Sequence, residues 1–324
     1  MKPKVFVTRP LPSPALDLLA EHFDIAFHPH DSPIAPEKLA EACGEIEGLV
    51  VAGTRVTAEI LNAAPKLRAV STASVGYDNI DVAACTARRI PVTNTVGVLE
   101  ETTADLAFAL LLAVARRVVE GDRFVRDGLW REWKWGMLHA ADIHHKALGL
   151  YGFGRIGQAV ARRGRGFSMR ILYYARHRVA ESLEREIDAQ YVDRETLLRQ
   201  SDFLSLHIPK TPETTHTIGA RELGLMKLSA FLINTARGSV VDEPALVQAL
   251  EAKTIAGAGL DVFEQEPKVH PGLVSMPNVV LMPHVGSATG ETRLKMAMRA
   301  AENLIAVLGG RRPADVVNPE VYID

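Results

Sequence analysis

Three loops of the chain carry side chains that could together reduce a ketone. Arg237 lies in the segment Asn234–Gly238, several acidic residues lie in Asp261–Pro267, and His284 lies in Pro283–Ala288. Each segment begins at the end of a short apolar run that is predicted to be a strand, or directly after it. Parallel strands present their carboxyl ends at one edge of a sheet. An arginine can hold a carboxylate through two hydrogen bonds, a histidine can protonate a ketone oxygen, and an acid can keep that histidine charged. The loops therefore predict carbonyl reduction by a bound hydride donor.

A glycine-rich segment predicts where that donor binds. The sequence GFGRIG, residues 152–157, follows the predicted strand Ala147–Tyr151 and opens a predicted helix. In this strand–turn–helix context, the spacing is typical of dinucleotide binding. Gly152 allows the tight turn, Gly154 lets the backbone approach a pyrophosphate, and Gly157 lets the helix pack closely on the strand. The N–H groups at the start of the helix favour the pyrophosphate.

The loop after the next predicted strand indicates which dinucleotide is preferred. NAD-binding domains of this kind place an acid there, on the adenine ribose. Here the strand ends at Tyr174 and continues into Ala175, Arg176 and His177, and the first acid is Glu181. The guanidinium of Arg176 matches a 2′-phosphate, which an acid would repel. We therefore expect NADPH to be preferred and NADH to be usable, unless Arg176 is only a solvated loop charge.

The elements that position these loops alternate between short β-branched runs and helical patterns, in two successive series. This alternation predicts an α/β protein with two doubly wound parallel-sheet domains. Thr102–Arg117 is apolar nearly all round, and we predict that it lies between domains or between subunits. The irregular segment Asp127–His145 contains all three tryptophans, Trp130, Trp133 and Trp135, and is predicted to be a packing surface.

Length, composition and charge exclude several classes of protein. The chain has 324 residues, about twice the usual length of a domain. With 37 basic and 39 acidic residues, the net charge of −2 argues against a nucleic-acid binder. Cys43 and Cys85 cannot form a disulfide framework, and no cysteine or histidine has metal-ligand spacing, so we expect no metal. Without a signal-peptide core or a membrane span, a cytoplasmic protein is expected.

The chain resembles the D-isomer-specific 2-hydroxyacid dehydrogenases over essentially its whole length. The matching segments are Ser74–Asp81, Ala104–Ala113, the glycine loop, Asn234–Gly238, Gly259–Pro267 and Pro283–Ala288. The resemblance implies a Rossmann NAD(P)-binding domain, residues 99–287, inserted into a flavodoxin-like substrate-binding domain made of residues 1–98 and 288–324. It places the family's catalytic Arg, Glu and His on Arg237, Glu266 and His284, and leaves Glu264 as a surface charge.

The same resemblance implies further contacts. Those expected to border the cofactor are Thr103, Gly152, Gly154, Arg155, Ile156, Gly157, Ala175, Arg176, His177, Thr235, Ala236, Asp261 and Gly286. Those expected to border the substrate are Ala52, Gly53, Val75, Gly76, Trp133, Arg237 and His284. A homodimer is expected through the Thr102–Arg117 helix and the segment after it, with Trp133 reaching the partner's active site.

Within the family, the chain is most similar to the glyoxylate/hydroxypyruvate reductase and 2-ketogluconate reductase branch. We expect an NADPH-preferring reductase of a short 2-keto acid that gives the D-2-hydroxy acid, with 2-ketogluconate as the alternative substrate. A more remote alternative is a non-catalytic, dinucleotide-sensing corepressor on the same scaffold. No basic cluster for a substrate phosphate is evident, which disfavours a phosphoglycerate dehydrogenase.

Overall fold

The computed structural model describes residues 1–323, which divide into two compact units. One unit contains Met1–Leu99 and the chain from Ser287 onward, and the other contains Glu100–Gly286. Both crossings lie one residue from the boundaries expected for two domains. They also fall in the glycine-bearing segments 97–102 and 286–290.

The first unit is built on a five-stranded parallel sheet in the order β2-β1-β3-β4-β5. This is the flavodoxin-like strand order, as predicted. The strands are β1 (Lys4–Val7), β2 (Asp24–Phe27), β3 (Gly48–Val51), β4 (Ala69–Thr72) and β5 (Val92–Thr93). The helices are α1 (Ser13–His22), α2 (Pro36–Cys43), α3 (Ala58–Asn62), α4 (Val82–Ala87) and the long α13 (Gly290–Leu308), with a short 3-10 helix at Pro319–Tyr322.

The second unit is built on a seven-stranded parallel sheet in the order β12-β11-β10-β9-β6-β7-β8. Its strands are β6 (Ala147–Tyr151), β7 (Arg170–Tyr174), β8 (Ala189–Tyr191), β9 (Phe203–Leu206), β10 (Phe231–Asn234), β11 (Gly257–Leu260) and β12 (Val279–Leu281). Its helices are α5 (Glu100–Ala115), α6 (Val118–Arg126), α7 (Arg155–Gly166), α8 (Glu181–Ile187), α9 (Arg194–Gln200), α10 (Ala220–Leu225), α11 (Glu243–Glu251) and α12 (Pro271–Val274), with a 3-10 turn at Gly238–Val240. The chain order reverses between β6 and β9, which is the Rossmann arrangement. The predicted fold class is confirmed.

Several helices begin at residues that the sequence marks as helix starts. The side chains of Asp81, Asp193, Asp242 and Thr289 each accept a hydrogen bond from an amide in the first turn of the helix that follows. These bonds satisfy N–H groups that have no partner inside the helix. Prolines occupy the first turns of α1, α2, α11 and α12, where a missing N–H costs nothing.

The apolar helix α5 is buried by its own unit. It packs against α7 and against β10, β11 and β12 of the seven-stranded sheet. Phe108, Leu110 and Leu111 lie in the same core cluster as Leu148 of β6. This packing buries much of the apolar helix within its own unit, and a further contact with a second subunit stays a prediction.

Two elements of the second unit were not predicted. Helix α6 (Val118–Arg126) follows Arg117, whose left-handed backbone ends α5 and starts a new helix. Strand β8 (Ala189–Tyr191) is three residues long at the edge of the sheet, too short to show a period.

Candidate active site

The sheet order places the predicted chemical groups in a row along the carboxyl edge of the second unit. His284 follows β12, Glu266 follows β11, and Arg237 follows β10. The three strands end level, since Asn234 pairs with Leu260 and Leu260 pairs with Leu281. The glycine loop after β6 and Arg176 after β7 lie further along the same edge.

His284 and Glu266 form a hydrogen-bonded pair. The Nδ1 atom of His284 donates to Oε2 of Glu266 over 2.7 Å, and Oε1 of Glu266 accepts the Phe263 amide at 2.9 Å. Burial raises the pKa of the Glu266 carboxyl, but the His284 contact, the Phe263 amide and the charge of Arg237 together hold it below its ordinary value. The His284 side chain is 50% exposed. Its Nε2 atom is therefore the nitrogen available to a substrate.

The loop that carries His284 is fixed by Asp261. The two carboxylate oxygens of Asp261 accept the amides of Val285 and Gly286, each at 2.8 Å, and its carbonyl accepts the His284 amide at 2.8 Å. Burial raises the pKa of the Asp261 carboxyl, opposed by these amides and by His284. His284 itself has φ +55°, a strained conformation that the surrounding bonds maintain.

The loop that carries Arg237 is held by Asn234, the last residue of β10. Its side-chain amide donates to the Arg237 carbonyl at 2.9 Å and accepts the Ala236 amide at 3.0 Å. A Cβ atom on Gly238 would overlap the backbone of Phe263, so only glycine allows this close approach of the two loops. The approach explains why the charge of Arg237 acts on the Glu266 carboxyl.

Glu264 differs from the prediction. Its Oε1 atom lies 2.6 Å from Nε2 of His216, and its amide donates to Oε1 of Glu243 at 2.6 Å. The loop after β11 turns back over His216 and buries about three quarters of the Glu264 side chain, which is 26% exposed. Glu264 is therefore a paired group within the loop and not a solvated surface charge.

The geometry of the glycine loop fits a dinucleotide. Gly152 has φ +99°, and a Cβ atom there would overlap the His207 carbonyl. A Cβ on Gly157 would overlap the Gly152 carbonyl, whereas the space beside Gly154 is open. Arg155 and Ile156 form the first turn of α7, whose N-terminus faces this open space without a capping side chain.

The groups expected near the nicotinamide also fit. Thr235 directly follows β10. Its hydroxyl is buried and has no hydrogen-bond partner among residues 1–323, so a bound ligand could satisfy it. Thr103 and Asp261 both pack against Gly286. A Cβ atom on Gly286 would lie 3.2 Å from Oδ2 of Asp261 and 3.4 Å from Cγ2 of Thr103. Ala236 has its amide bound to Asn234 and lies in the same loop as Arg237.

The loop after β7 is braced by a second buried carboxylate. Glu184 binds the Arg178 guanidinium through two hydrogen bonds of 2.8 and 2.7 Å and accepts the Tyr173 hydroxyl at 2.5 Å. The Arg178 and Tyr173 bonds lower the pKa of Glu184 to about 2. Phe153 of the glycine loop stacks on Tyr173 with ring centroids 4.0 Å apart. Ala175 is partly buried, and Arg176 and His177 are exposed at the tip of the braced loop.

Comparisons with known proteins agree with this arrangement. Residues 108–286 match the model of the D-isomer specific 2-hydroxyacid dehydrogenase NAD binding domain. The glyoxylate reductase of Thermococcus litoralis is 52% identical, over 99% of this chain and 98% of that protein. The chain belongs to the D-isomer-specific 2-hydroxyacid dehydrogenase family. It is therefore an enzyme of that class with a nicotinamide-dinucleotide-binding domain.

Solved structures of other proteins resemble this dehydrogenase along its length. A protein of Thermus thermophilus is 44% identical with a TM-score of 0.90, covering 97% of this chain and 99% of that one. The NADPH-dependent glyoxylate/hydroxypyruvate reductase of Sinorhizobium meliloti, in complex with NADP and malonate, is 35% identical with a TM-score of 0.88. It covers 98% of this chain and 97% of that one.

The substrate contacts expected in the first unit of the dehydrogenase lie at the carboxyl edge of its own sheet. Ala52 and Gly53 follow β3, and Val75 and Gly76 follow β4. The Ala52 amide already donates to the Thr8 hydroxyl at 3.1 Å. The amides of Val75 and Gly76 donate to no protein atom among residues 1–323.

Trp133 lies in the second unit, in the irregular segment after α6. It is 70% exposed and packs edge-on against Trp135. Trp130 and Leu129 are also exposed, as are Val118 and Val125 on α6. The segment therefore presents an apolar surface.

Sequence reasoning missed three residues that shape the site. Asn234 fixes the Arg237 loop, Glu243 binds the loop of Glu266, and His207 lines the glycine loop. Burial lowers the pKa of His207 to about 3, so the ring is neutral at physiological pH, and its Nε2 atom bonds to the Ser205 hydroxyl at 2.8 Å. Only the position of His207 near the end of the predicted strand Phe203–Ile208 could have indicated a role.

Among residues 1–323, no cluster of three His, Cys, Asp or Glu residues could hold a metal ion. None of the helices in that range is both long and apolar enough to cross a membrane.

Proposed function

We propose that this dehydrogenase reduces glyoxylate and hydroxypyruvate to D-2-hydroxy acids, with NADPH as the preferred cofactor. The observation that carries the proposal is the His284–Glu266 pair, in which Nδ1 is bound at 2.7 Å while half of the side chain stays exposed. The relative named glyoxylate reductase at 52% identity supports the substrate class.

In the proposed reaction, Arg237 holds the substrate carboxylate and the keto oxygen through its planar fork. The amides of Val75 and Gly76, which have no partner among residues 1–323, add hydrogen bonds to the carboxylate. A nicotinamide cofactor held by the glycine loop and the start of α7 would supply the hydride for the keto carbon. His284 donates its Nε2 proton to the keto oxygen, so that the carbonyl becomes a hydroxyl and neutral imidazole remains.

Glu266 is assigned the task of keeping His284 oriented and charged. A carboxylate that accepts from Nδ1 fixes the ring and favours the imidazolium. The pKa of Glu266 is held below its ordinary value, so the group is ionised wherever the enzyme would work. The pair thus presents a proton donor to the substrate while remaining neutral overall.

The preference for NADPH is assigned to Arg176. It is exposed at the tip of the loop after β7, and Glu184 binds the neighbouring Arg178. The adjacent Ala175 and His177 carry no negative charge that would repel a 2′-phosphate. The similar Sinorhizobium meliloti reductase is named as NADPH-dependent, which supports the assignment.

Domain roles and assembly complete the proposal. We assign the cofactor to residues 99–287 and the remaining substrate contacts to residues 1–98 and 288–324. The exposed apolar surface around Trp133 is assigned to a homodimer, with Trp133 reaching the partner's active site. Light scattering would test this, since a monomer at micromolar concentration would contradict it. Both cysteines are free and buried, which supports a reducing cytoplasm.

Steady-state rates with three substrates and two cofactors test the proposed function. We expect glyoxylate and hydroxypyruvate to be reduced with a higher kcat/KM than 2-ketogluconate, and NADPH to give a higher kcat/KM than NADH. A higher kcat/KM for 2-ketogluconate would establish the alternative substrate. The corepressor alternative is disfavoured by membership in a dehydrogenase family, and the absence of turnover with all three acids would revive it.

A further inference from the structure

The loop that carries Glu266 is held from within the unit by a carboxylate outside the predicted site. Glu243 begins α11 and is buried, directly after the helix cap Asp242. Its Oε1 atom accepts the Glu264 amide at 2.6 Å, across 21 residues of sequence. A buried hydrogen bond of this length constrains the loop backbone.

Two consecutive amides of this loop are bound by two different carboxylates. The Phe263 amide donates to Oε1 of Glu266, and the next amide, that of Glu264, donates to Glu243. Oε2 of Glu266 then accepts from His284. A displacement of the Glu264 backbone would therefore move the Phe263 amide and turn the Glu266 carboxylate away from the imidazole.

A second contact holds the same loop through the Glu264 side chain. Its Oε1 atom lies 2.6 Å from Nε2 of His216, whose own amide donates to the Ser239 carbonyl at 2.8 Å. Ser239 belongs to the turn that follows Arg237. The His216–Glu264 pair is more exposed than the Glu243 contact, at 43% and 26%, so it is the weaker of the two.

We propose that Glu243 is a positioning residue of this enzyme. Its carboxylate fixes the Glu264 amide and so holds the Glu266 carboxylate against Nδ1 of His284. The His216–Glu264 pair supports the same loop from its exposed side. The inference deepens the proposed function, since its purpose is to keep the proton donor in place.

Glu243 acts as a hydrogen-bond acceptor, since its Oε1 atom receives the Glu264 amide. Burial raises the pKa of its carboxyl, and the nearby charges of Glu264 and Glu266 raise it further. The Glu264 amide and His270 act in the opposite direction. The groups that face Glu266 are His284, Arg237 and the Phe263 amide, together with Asp261 across the His284 loop. A neutral side chain with an oxygen in the same place should therefore substitute for Glu243.

Three variants test the proposal: Glu243→Ala, Glu243→Gln and the control Glu251→Ala. The control changes an exposed acid at the other end of α11. Glu243→Ala should lower kcat about tenfold to a hundredfold, the cost of misplacing a reacting group by about 1 Å, with the KM for NADPH unchanged. Glu243→Gln and Glu251→Ala should stay within about twofold of the parent enzyme.

A second readout does not depend on turnover. At one fixed pH, the chemical shifts of the His284 ring in NMR spectra should change in Glu243→Ala, because Glu266 no longer accepts from Nδ1. They should keep the parent values in Glu243→Gln and Glu251→Ala. If the parent enzyme reduces none of the keto acids, the proposed function fails while these chemical shifts still decide the inference. A folded Glu243→Ala with the parent chemical shifts and kcat would overturn the inference. So would a Glu243→Gln as impaired as Glu243→Ala.

If Glu243→Ala does not fold, His216→Ala provides the same test at the exposed side of the loop. It should change the chemical shifts of the His284 ring in the same direction by a smaller amount. Unchanged chemical shifts in His216→Ala together with altered ones in Glu243→Gln would contradict the acceptor role.

Discussion

Two carboxylate–cation pairs at the same sheet edge differ in how much hydrogen-bonding capacity they leave for a ligand. In the pair beyond β7, Glu184 binds Arg178 twice and also accepts the Tyr173 hydroxyl, and its side chain is 9% exposed. In the pair beyond β11 and β12, Glu266 binds one nitrogen of His284 and half of the His284 side chain stays exposed. Both pairs lower the pKa of their carboxyl group.

The difference shows how one type of contact serves two purposes. Glu184 has its hydrogen-bonding capacity used by protein groups, so the pair stabilises the loop that presents Arg176. Glu266 leaves its partner with a second ring nitrogen, so the pair orients a proton donor. The cation matters as much as the number of bonds, since arginine stays charged while histidine can exchange a proton near neutral pH.

The largest effect is expected from removing the negative charge of the His284–Glu266 pair. Glu266→Gln should lower kcat for glyoxylate by about a hundredfold, because His284 is no longer kept charged and oriented. Steady-state kinetics would check this, with Glu264→Gln as the control at the neighbouring acid. A greater loss in Glu264→Gln than in Glu266→Gln would place the essential acid at Glu264.

The acid side of the pH–rate profile of the parent enzyme tests the same His284–Glu266 pair. Because the pKa of Glu266 is lowered, its ionised form should persist as the pH falls through the ordinary glutamic acid value of 4.5. The contribution of the pair is thus present above that value and is lost only as the pH falls through the lower folded-state pKa. Rates measured on the acid side with the protein still folded should show no decline centred at 4.5. A decline centred there would mean that Glu266 is not held by His284.

A smaller effect is expected at the loop after β7, which the Glu184–Arg178 pair supports. Arg176→Ala should raise the KM for NADPH by about tenfold, the value of one charge-assisted contact, and leave the KM for NADH unchanged. Arg185→Ala is the control, since this exposed arginine lies on α8 and pairs only with Glu181 in the described residues. An equal change in both KM values would show that Arg176 does not contact a 2′-phosphate.

The smallest effect is expected from breaking the Glu184–Arg178 pair. Glu184→Gln should lower the melting temperature by about 2 to 4 °C at pH 7 without changing kcat. The pKa of Glu184 is lowered from 4.5 to about 2, so its contribution is complete above 4.5 and is lost as the pH falls toward 2. The difference in melting temperature should therefore shrink below pH 4.5. Glu181→Gln on the same helix should melt like the parent, and a difference that grows in acid would contradict the account.

The parts of the site that could be predicted have local signals. Short apolar runs locate the strands, and the residues that follow them fall at the carboxyl edge, which brings His284, Glu266 and Arg237 together. The glycine spacing is visible because the close contacts of Gly152 and Gly157 exclude any side chain.

The parts that could not be predicted depend on the paths of loops. The Glu243–Glu264 bond joins a side chain to a backbone amide 21 residues away, and nothing in the local pattern selects that partner. Glu264 was predicted to be a surface charge because its contact with His216 spans 48 residues. Arg178 resembled a loop charge because the burial of Glu184 is set by Tyr173 and the packing of α8.

The central claim is that the His284 imidazole delivers the proton to the keto oxygen. The most direct test is the rate of glyoxylate reduction by His284→Ala, measured together with NADPH binding by fluorescence. The account predicts a loss of about a hundredfold or more with the affinity for NADPH unchanged. A folded His284→Ala that reduces glyoxylate at the parent rate would contradict it.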